Sequence, residues 1–250
     1  MKDLGILKKI YDLSIPYIKL NETRVKSTHI RSFDSKLGGM PHIPNNSKYY
    51  YPISSVTKKP LNHLAQINFV DMPHLEPFPR DGLLQFFINF EDDCFGFDDQ
   101  DFVVQYIPFE DTNYGKYDNP INLDFICFEN EYSPIEGTLK LNGRIATQAP
   151  TLSYIDFKDL FSEYSSNPDF HTYYSTVINC YNEHQIGGYP DCCQGEFDCI
   201  SPDKDYVLLL QLGCTDHVCF GDAGVMNFFI ERNDLACLNF SNVRAQWDCS

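Results

Sequence analysis

The stretch Gly82-Leu83-Leu84-Gln85-Phe86-Phe87-Ile88 is the clearest strand in the chain, and it has a counterpart near the C-terminus. Successive side chains of a strand point to opposite faces, so the stretch predicts one fully apolar face and a second face interrupted by Gln85. The counterpart, Gly224-Val225-Met226-Asn227-Phe228-Phe229-Ile230, keeps the same order and strand parity. We expect six of these side chains in the core: Leu84, Phe86, Ile88, Met226, Phe228 and Ile230.

Two further pairs of blocks recur in the same order around these strands. Lys36-Leu37-Gly38-Gly39-Met40-Pro41 returns as Gln185-Ile186-Gly187-Gly188-Tyr189-Pro190, and Leu64-Ala65-Gln66-Ile67 returns as Leu209-Leu210-Gln211-Leu212. Three matched pairs in one order predict an internal duplication. The predicted fold class is α+β, with two pseudo-equivalent halves, a mostly antiparallel sheet and flanking helices.

Each Gly-Gly-x-Pro block predicts a tight corner between elements. Glycine adopts backbone angles that are closed to other residues, and proline ends a hydrogen-bonded ladder. The predicted corner residues are Gly38, Gly39, Pro41, Gly187, Gly188 and Pro190.

The length of 250 residues and the apolar content of 43% allow a large buried core. We expect a single domain over residues 1–250, with an N-terminal half of about 30–130 and a C-terminal half of about 150–250. Apolar spacing predicts a helix over Leu4–Leu13, a longer helical stretch over Asp156–Glu183 that Pro168 interrupts, and a strand over Asn122–Phe128.

The chain is strongly acidic. It contains 35 Asp and Glu against 19 Lys and Arg, which gives a formal net charge of −16. Nucleic acids and anionic membranes bind positively charged surfaces, so the negative net charge argues against both as principal ligands. It suits a basic protein partner, or it serves solubility alone.

The N-terminal segment Met1–Ile10 does not resemble a signal peptide, because Lys8 and Lys9 interrupt its apolar stretch. No window approaches the roughly 20 apolar residues of a membrane-spanning helix. These features predict a cytoplasmic protein.

Ten cysteines raise the question of a metal site. The densest group is Cys192, Cys193 and Cys199, and the pair Cys214 and Cys219 follows. Structural zinc sites usually pair their ligands as Cys-x2-Cys or His-x3-His, and this spacing differs. We therefore expect reduced thiols, with no metal and no cofactor.

Gln66 and Gln211 are the sharpest candidates for ligand binding. Each lies in an apolar strand, where a carboxamide is costly unless its donors and its acceptor are satisfied. One interpretation is structural: each glutamine bonds the backbone of its Gly-Gly-x-Pro corner, or the two bond each other. The other interpretation places the amides in a cleft that takes a ligand.

His184 and Asp222 are the second pair of ligand-binding candidates. A His–Asp pair can perform acid–base chemistry. However, the chain has no recognisable nucleophile elbow, Cys–His signature, phosphate-binding loop or His-Glu-x-x-His motif. We predict no catalytic residues, and the sequence leans towards a protein that is not an enzyme.

An acidic run between Glu91 and Asp101 follows the first strand. It lacks the alternating ligands, the glycine and the closing glutamate of a calcium loop. It is either a solvated loop or a contact surface for a basic partner. The candidate partner-binding residues are Asp92, Asp93, Asp98 and Asp99.

These blocks, together with Gly221-Asp222-Ala223-Gly224 and Trp247-Asp248-Cys249, resemble the YwqG-like bacterial proteins of unknown function from about residue 30 onwards. The resemblance implies an α+β fold, a bacterial intracellular setting, no established activity, and an immunity-type or interaction role. One segment departs from the family pattern. Asp191-Cys192-Cys193-Gln194-Gly195-Glu196 stands where the family often has a Phe-Thr-Gln-x-Asp-like segment, so these cysteines are peculiar to this chain.

The sequence therefore favours a non-enzymatic interaction protein that binds and occludes a basic protein partner. The alternative is a small-molecule-binding or hydrolytic protein with a site between the halves, around Gln66, Gln211 and His184. The identity of a small-molecule ligand is not predicted.

Overall fold

The computed structural model describes residues 4–44, 48–90, 95, 101–112, 132–164, 166–178, 183–195 and 197–249. Within these residues the strands are β1 (Ile15–Arg24), β2 (Lys36–Leu37), β3 (Asn62–Asn68), β4 (Leu83–Ile88), β5 (Phe102–Ile107), β6 (Leu139–Gln148), β7 (Gln185–Gly187), β8 (Tyr206–Leu212), β9 (Val225–Glu231) and β10 (Arg244–Asp248). The α-helices are α1 (Leu4–Leu13), α2 (Phe157–Leu160), α3 (Pro168–Tyr173) and α4 (Arg232–Ala236). The strand expected over 122–128 lies outside the described residues.

The chain forms two compact units. Unit 1 comprises Met1–Lys19, Ile145–Arg232 and Arg244–Ser250, and unit 2 comprises Leu20–Arg144 and Asn233–Val243. The strand order in unit 1 is β10-β9-β8-β7-β1, and in unit 2 it is β6-β2-β3-β4-β5, with β1 and β6 each contributing residues to both units. Within each of these two strand orders, every pair of neighbouring strands is antiparallel.

The expected fold class, an α+β fold with two pseudo-equivalent halves from an internal duplication, is wrong. The described structure is mostly antiparallel sheet, and its four α-helices have 10, 4, 6 and 5 residues. Unit 1 is also assembled from both ends and the middle of the chain, and unit 2 includes Asn233–Val243 besides Leu20–Arg144. Short blocks such as Gly-Gly-x-Pro recur wherever a strand must end in a tight corner, so their repetition does not establish equivalent halves. The single-domain organisation stays a prediction.

The helical stretch expected over 156–183 breaks into short pieces. Asn167 caps α3, because its side chain accepts hydrogen bonds from Asp169 N and Phe170 N, and Pro168 occupies the first turn. Aromatic packing holds these pieces in unit 1. Phe157, Phe161, Phe170 and Tyr174 form one buried cluster with Ile6 and Ile10 of α1, whose predicted bounds are confirmed.

The predicted strand core is confirmed. Leu84, Phe86, Ile88, Met226, Phe228 and Ile230 are each at most 1% exposed. All six residues of β4 are buried, including Gln85, so both of its faces are covered. No helix in the described part of the chain combines the length and the apolar character needed to cross a bilayer.

Candidate functional site

Gln66 lies in β3 of unit 2 and is completely buried. Its Oε1 accepts hydrogen bonds from His42 N and from Gln85 Nε2, both at 2.8 Å. Its Nε2 donates to Ser32 O at 2.8 Å and to Asp34 O at 2.9 Å. The amide therefore uses both donors and both lone pairs: three of the bonds hold backbone segments against the strand, and the fourth joins Gln66 to Gln85.

Gln66 begins a row of amides across three strands. Gln66, Gln85 and Gln105 stand opposite one another on β3, β4 and β5. Gln105 Nε2 donates to Gln85 Oε1 at 2.7 Å, and Gln85 Nε2 also donates to His42 O at 2.7 Å. This role of Gln85 and Gln105 was not predicted from the sequence. A polar residue recurring at one register of neighbouring apolar strands is the signal that could have revealed it.

Gln211 has the corresponding local surroundings in unit 1. Its Oε1 accepts from Asp191 N at 2.8 Å, and its Nε2 donates to Glu183 O at 3.0 Å. Asn227, opposite Gln211 on β9, donates from Nδ2 to Asp191 O at 2.9 Å. Asp191 directly follows Pro190, as His42 follows Pro41. Each glutamine thus bonds the backbone just after its Gly-Gly-x-Pro corner, in agreement with the structural interpretation.

Two further buried glutamines complete the corner of unit 1. Gln185 Nε2 donates to the carbonyl oxygens of Gly187 and Tyr189, both at 3.0 Å. Gln148 Oε1 accepts from Tyr189 N at 2.9 Å. These amides replace the ladder bonds that the corner residues lose when the chain turns.

The corner glycines occupy positions that other residues rarely adopt. The φ angles of Gly38, Gly39, Gly187 and Gly188 are 63°, 63°, 69° and 77°. A Cβ on Gly38 would also stand 2.5 Å from Gly137 O. Pro41 and Pro190, two residues after Gly39 and Gly188, are buried. The backbone therefore requires glycine at these corners.

His184 is buried, with 3% exposure, and its Nδ1 accepts from Gly213 N at 3.0 Å. That bond requires an unprotonated Nδ1, so the ring has the Nε2–H tautomer. Asp222 lies in the exposed turn before β9. The candidate His–Asp pair thus consists of a buried ring bonded to backbone and a carboxylate at the surface.

His63 is a second buried histidine, which the sequence analysis did not single out. Its Nδ1 lies 3.0 Å from both Gly38 O and Gly39 O. Carbonyl oxygens accept, so Nδ1 carries the proton. Burial, followed by the nearby charge of Lys36, lowers the pKa of His63 to about 3, so the ring is neutral.

Lys36 is a charged group enclosed in unit 2. Its side chain is 2% exposed, and Nζ donates to Ser32 O at 2.9 Å. Burial lowers the pKa of Lys36 to about 8, against the charge of Asp34, which raises it. Burial also raises the pKa of Asp34, but hydrogen bonds from Arg31 and the charges of Arg31 and Lys140 outweigh this effect and leave that pKa lowered. Asp34 thus supplies one negative charge beside three basic groups, Lys36, Arg31 and Lys140.

The last residue of the acidic run, Asp101, is buried and held by hydrogen bonds. Asp101 is 2% exposed, and its carboxylate accepts from Ser54 Oγ at 2.6 Å, Ser55 N at 2.9 Å and Asn89 Nδ2 at 3.2 Å. The partner-binding candidates Asp92, Asp93, Asp98 and Asp99 lie outside the described residues.

The cysteines that the structure describes are free thiols, namely Cys192, Cys193, Cys199, Cys214, Cys219, Cys237 and Cys249. Burial raises the pKa of Cys193 to about 11 and that of Cys199 to about 12. Among the described residues, no group of three or more His, Cys, Asp or Glu side chains is arranged to hold a metal ion.

The comparisons with known proteins identify a family without assigning a reaction. A search of curated proteins found no match. A family model described as a domain of unknown function, DUF1963, matches residues 35–249, which include both corners, the amide rows and the cysteines described above. The chain therefore belongs to the DUF1963 family of domains of unknown function.

Proposed function

We propose that the protein is a non-enzymatic, cytoplasmic interaction module that binds and occludes a basic protein, in the way an immunity protein covers a toxin. Within the DUF1963 family, we further propose that it is one of the YwqG-like bacterial proteins, which its Gly-Gly-x-Pro and Trp-Asp-Cys blocks resemble. The observation that carries the proposal is the net charge of −16. A surface of one sign accelerates association with a partner of the opposite sign and disfavours other partners.

The distribution of charge in the described residues supports this proposal. Nine Lys and Arg side chains there form ion pairs with Asp or Glu: Lys9, Lys19, Arg24, Arg31, Lys48, Arg80, Lys140, Lys204 and Arg232. Lys36 is buried. Meanwhile Asp156, Asp159, Asp169, Asp198 and Asp216 are exposed. Each of these pairs cancels one positive and one negative charge, so the overall excess of acidic residues, −16, is left to attract a basic partner.

The bonding of the buried amides also favours a surface function. Gln66 uses its full hydrogen-bonding capacity within the fold, and Gln211 bonds backbone atoms through both its oxygen and its nitrogen. His184 accepts from a backbone N–H. Groups committed in this way would have to break internal bonds to take a ligand.

The proposal is tested by capturing partners with the tagged full chain from its source organism and measuring their association rates with purified protein. The test variant carries Asp92→Asn, Asp93→Asn, Asp98→Asn and Asp99→Asn. We expect the captured partner to have a net positive charge, and the variant to associate about 10-fold more slowly at low ionic strength.

The matched control variant carries Asp159→Asn, Asp169→Asn, Asp198→Asn and Asp216→Asn, which removes the same four charges elsewhere. It should associate at a rate closer to that of the wild type. An acidic or neutral partner, or a test variant that associates at the wild-type rate, would contradict the proposal.

A further inference from the structure

We propose that Cys214 and Cys219 form a redox-active pair, which a small-molecule disulfide of the glutathione class converts into a reversible intramolecular disulfide. The two residues lie in the connection between β8 and β9 of unit 1. Cys214 Sγ donates a hydrogen bond to Cys219 Sγ, and the two sulfur atoms are 3.2 Å apart.

The backbone of the connection explains why these thiols face each other. Thr215 N donates to Val218 O at 2.7 Å, which closes a tight turn. Cys214 and Cys219 are the next pair outward. In an antiparallel ladder, the pair beyond a hydrogen-bonded pair is the closer one, and its side chains point to the same face. This arrangement brings the sulfurs to within about 1 Å of the roughly 2.0 Å disulfide bond length.

The two thiols differ in exposure, and the difference assigns their roles. Cys219 is exposed, whereas Cys214 is half-buried. Burial, then the hydrogen bond to Cys219, and the charges of Cys219 and Asp222 raise the pKa of Cys214 to about 11. Cys219 is therefore the thiol that reacts with the oxidant first, and Cys214 stays protonated until Cys219 has reacted.

The reaction consists of two thiol–disulfide exchanges. The Cys219 thiolate attacks one sulfur of the oxidant, so that a mixed disulfide forms and the first small thiolate leaves. Cys214 then loses its proton to solvent and attacks Cys219 Sγ, which breaks the mixed disulfide and releases the second small thiolate. The protein loses two protons and two electrons, and the oxidant is reduced to two thiols. In a reducing compartment the pair rests as thiols and responds to oxidation.

Peptide mapping of the full chain tests the pair directly. Trypsin cuts after Lys204 and Arg232, and the peptide between them contains two cysteines, Cys214 and Cys219. The native protein is treated with oxidised glutathione until half of the Cys237 peptide carries a glutathione adduct, and remaining thiols are then blocked with N-ethylmaleimide. Cys237 is the reference because it is exposed and is the one cysteine described in unit 2.

We expect the 205–232 peptide to lose two hydrogens and to carry no maleimide, and to take two maleimides after prior reduction. In Cys214→Ser, Cys219 should retain glutathione, because nothing resolves the mixed disulfide. In Cys219→Ser, glutathione should reach Cys214 about 10-fold more slowly than it reaches Cys219 in Cys214→Ser.

Three results would overturn the proposal. The first is a 205–232 peptide that takes two maleimides after Cys237 has been modified. The second is a cross-link from this peptide to the 245–250 peptide, which contains Cys249, or to the 159–204 peptide. The third is a Cys214→Ser variant whose Cys219 remains free of glutathione.

Discussion

Single buried amides determine where the chain can turn after its short strands. Gln66 bonds His42 N and Gln211 bonds Asp191 N, so each fixes the first backbone amide after a Gly-Gly-x-Pro corner. The polar residue in an apolar strand was visible in the sequence. The hydrogen-bond partners of the amide were not visible, because a carboxamide can bond any backbone N–H or C=O group that lies close enough. Which groups lie close enough depends on the tertiary structure.

Replacing Gln66 by Leu should lower the free energy of unfolding by about 3 kcal/mol or more, because His42 N and two carbonyl oxygens lose their buried partner. Gln105→Leu is the control. It removes one bond to Gln85 from a partly exposed side chain, and should cost about 1 kcal/mol. Urea unfolding measures both values. Equal losses for the two variants would show that the bonds from Gln66 to these backbone segments do not stabilise the fold.

His63 should make stability depend on pH. The folded pKa is about 3 and the unfolded pKa is 6.5, so between these values the unfolded chain binds a proton that the folded protein excludes. Stability should therefore fall as the pH drops from about 6.5 to about 4.5, by up to about 2.5 kcal/mol from this group. This window avoids Asp34, whose pKa lies below the carboxyl value of 3.8.

The measurement is the free energy of unfolding against pH for the wild type and His63→Asn, whose Nδ2 can still donate to the corner carbonyls. The variant should lose the part of the slope that His63 contributes. Gln105→Leu, which removes no titratable group, should keep the wild-type slope. A His63→Asn curve parallel to the wild-type curve would refute the neutral, buried state of His63.

At the scale of elements, the central strands and α1 were predictable, and the helical stretch after residue 156 was not. β4 and β9 follow from near-continuous apolar runs, which are the pattern of strands with both faces buried. The segment after residue 156 also has apolar residues at helical spacing. However, its backbone forms short helical pieces, and its aromatic side chains pack against Ile6 and Ile10. Tertiary packing outweighs helical periodicity there, and this outcome depends on residues far away in sequence.

Truncating a central side chain of β4 or β9 should therefore lower the free energy of unfolding. Phe86 and Phe228 are fully buried, so Phe86→Ala and Phe228→Ala should each lower the free energy of unfolding by about 3–5 kcal/mol. Phe109→Ala is the control at a side chain that is 38% exposed, and it should cost about 1 kcal/mol or less. Losses below about 1 kcal/mol at the buried positions would be incompatible with this core.

At the scale of the whole molecule, charge is the property that the sequence conveys most directly. The excess of 35 acidic over 19 basic residues follows from the composition alone, without knowledge of the fold. The arrangement of the units could not be read in this way. Unit 1 includes residues from both ends of the chain, and such long-range contacts leave no local pattern in the sequence.

The most direct test of the proposed interaction module is the association rate with the captured partner as a function of ionic strength. Exposed charges separated by more than about 10 Å are largely screened at roughly 0.1 M salt. We predict that the association rate of the wild-type protein falls at least about 10-fold between low and physiological salt, while the dissociation rate changes much less. An association rate that stays constant over this range would contradict the account.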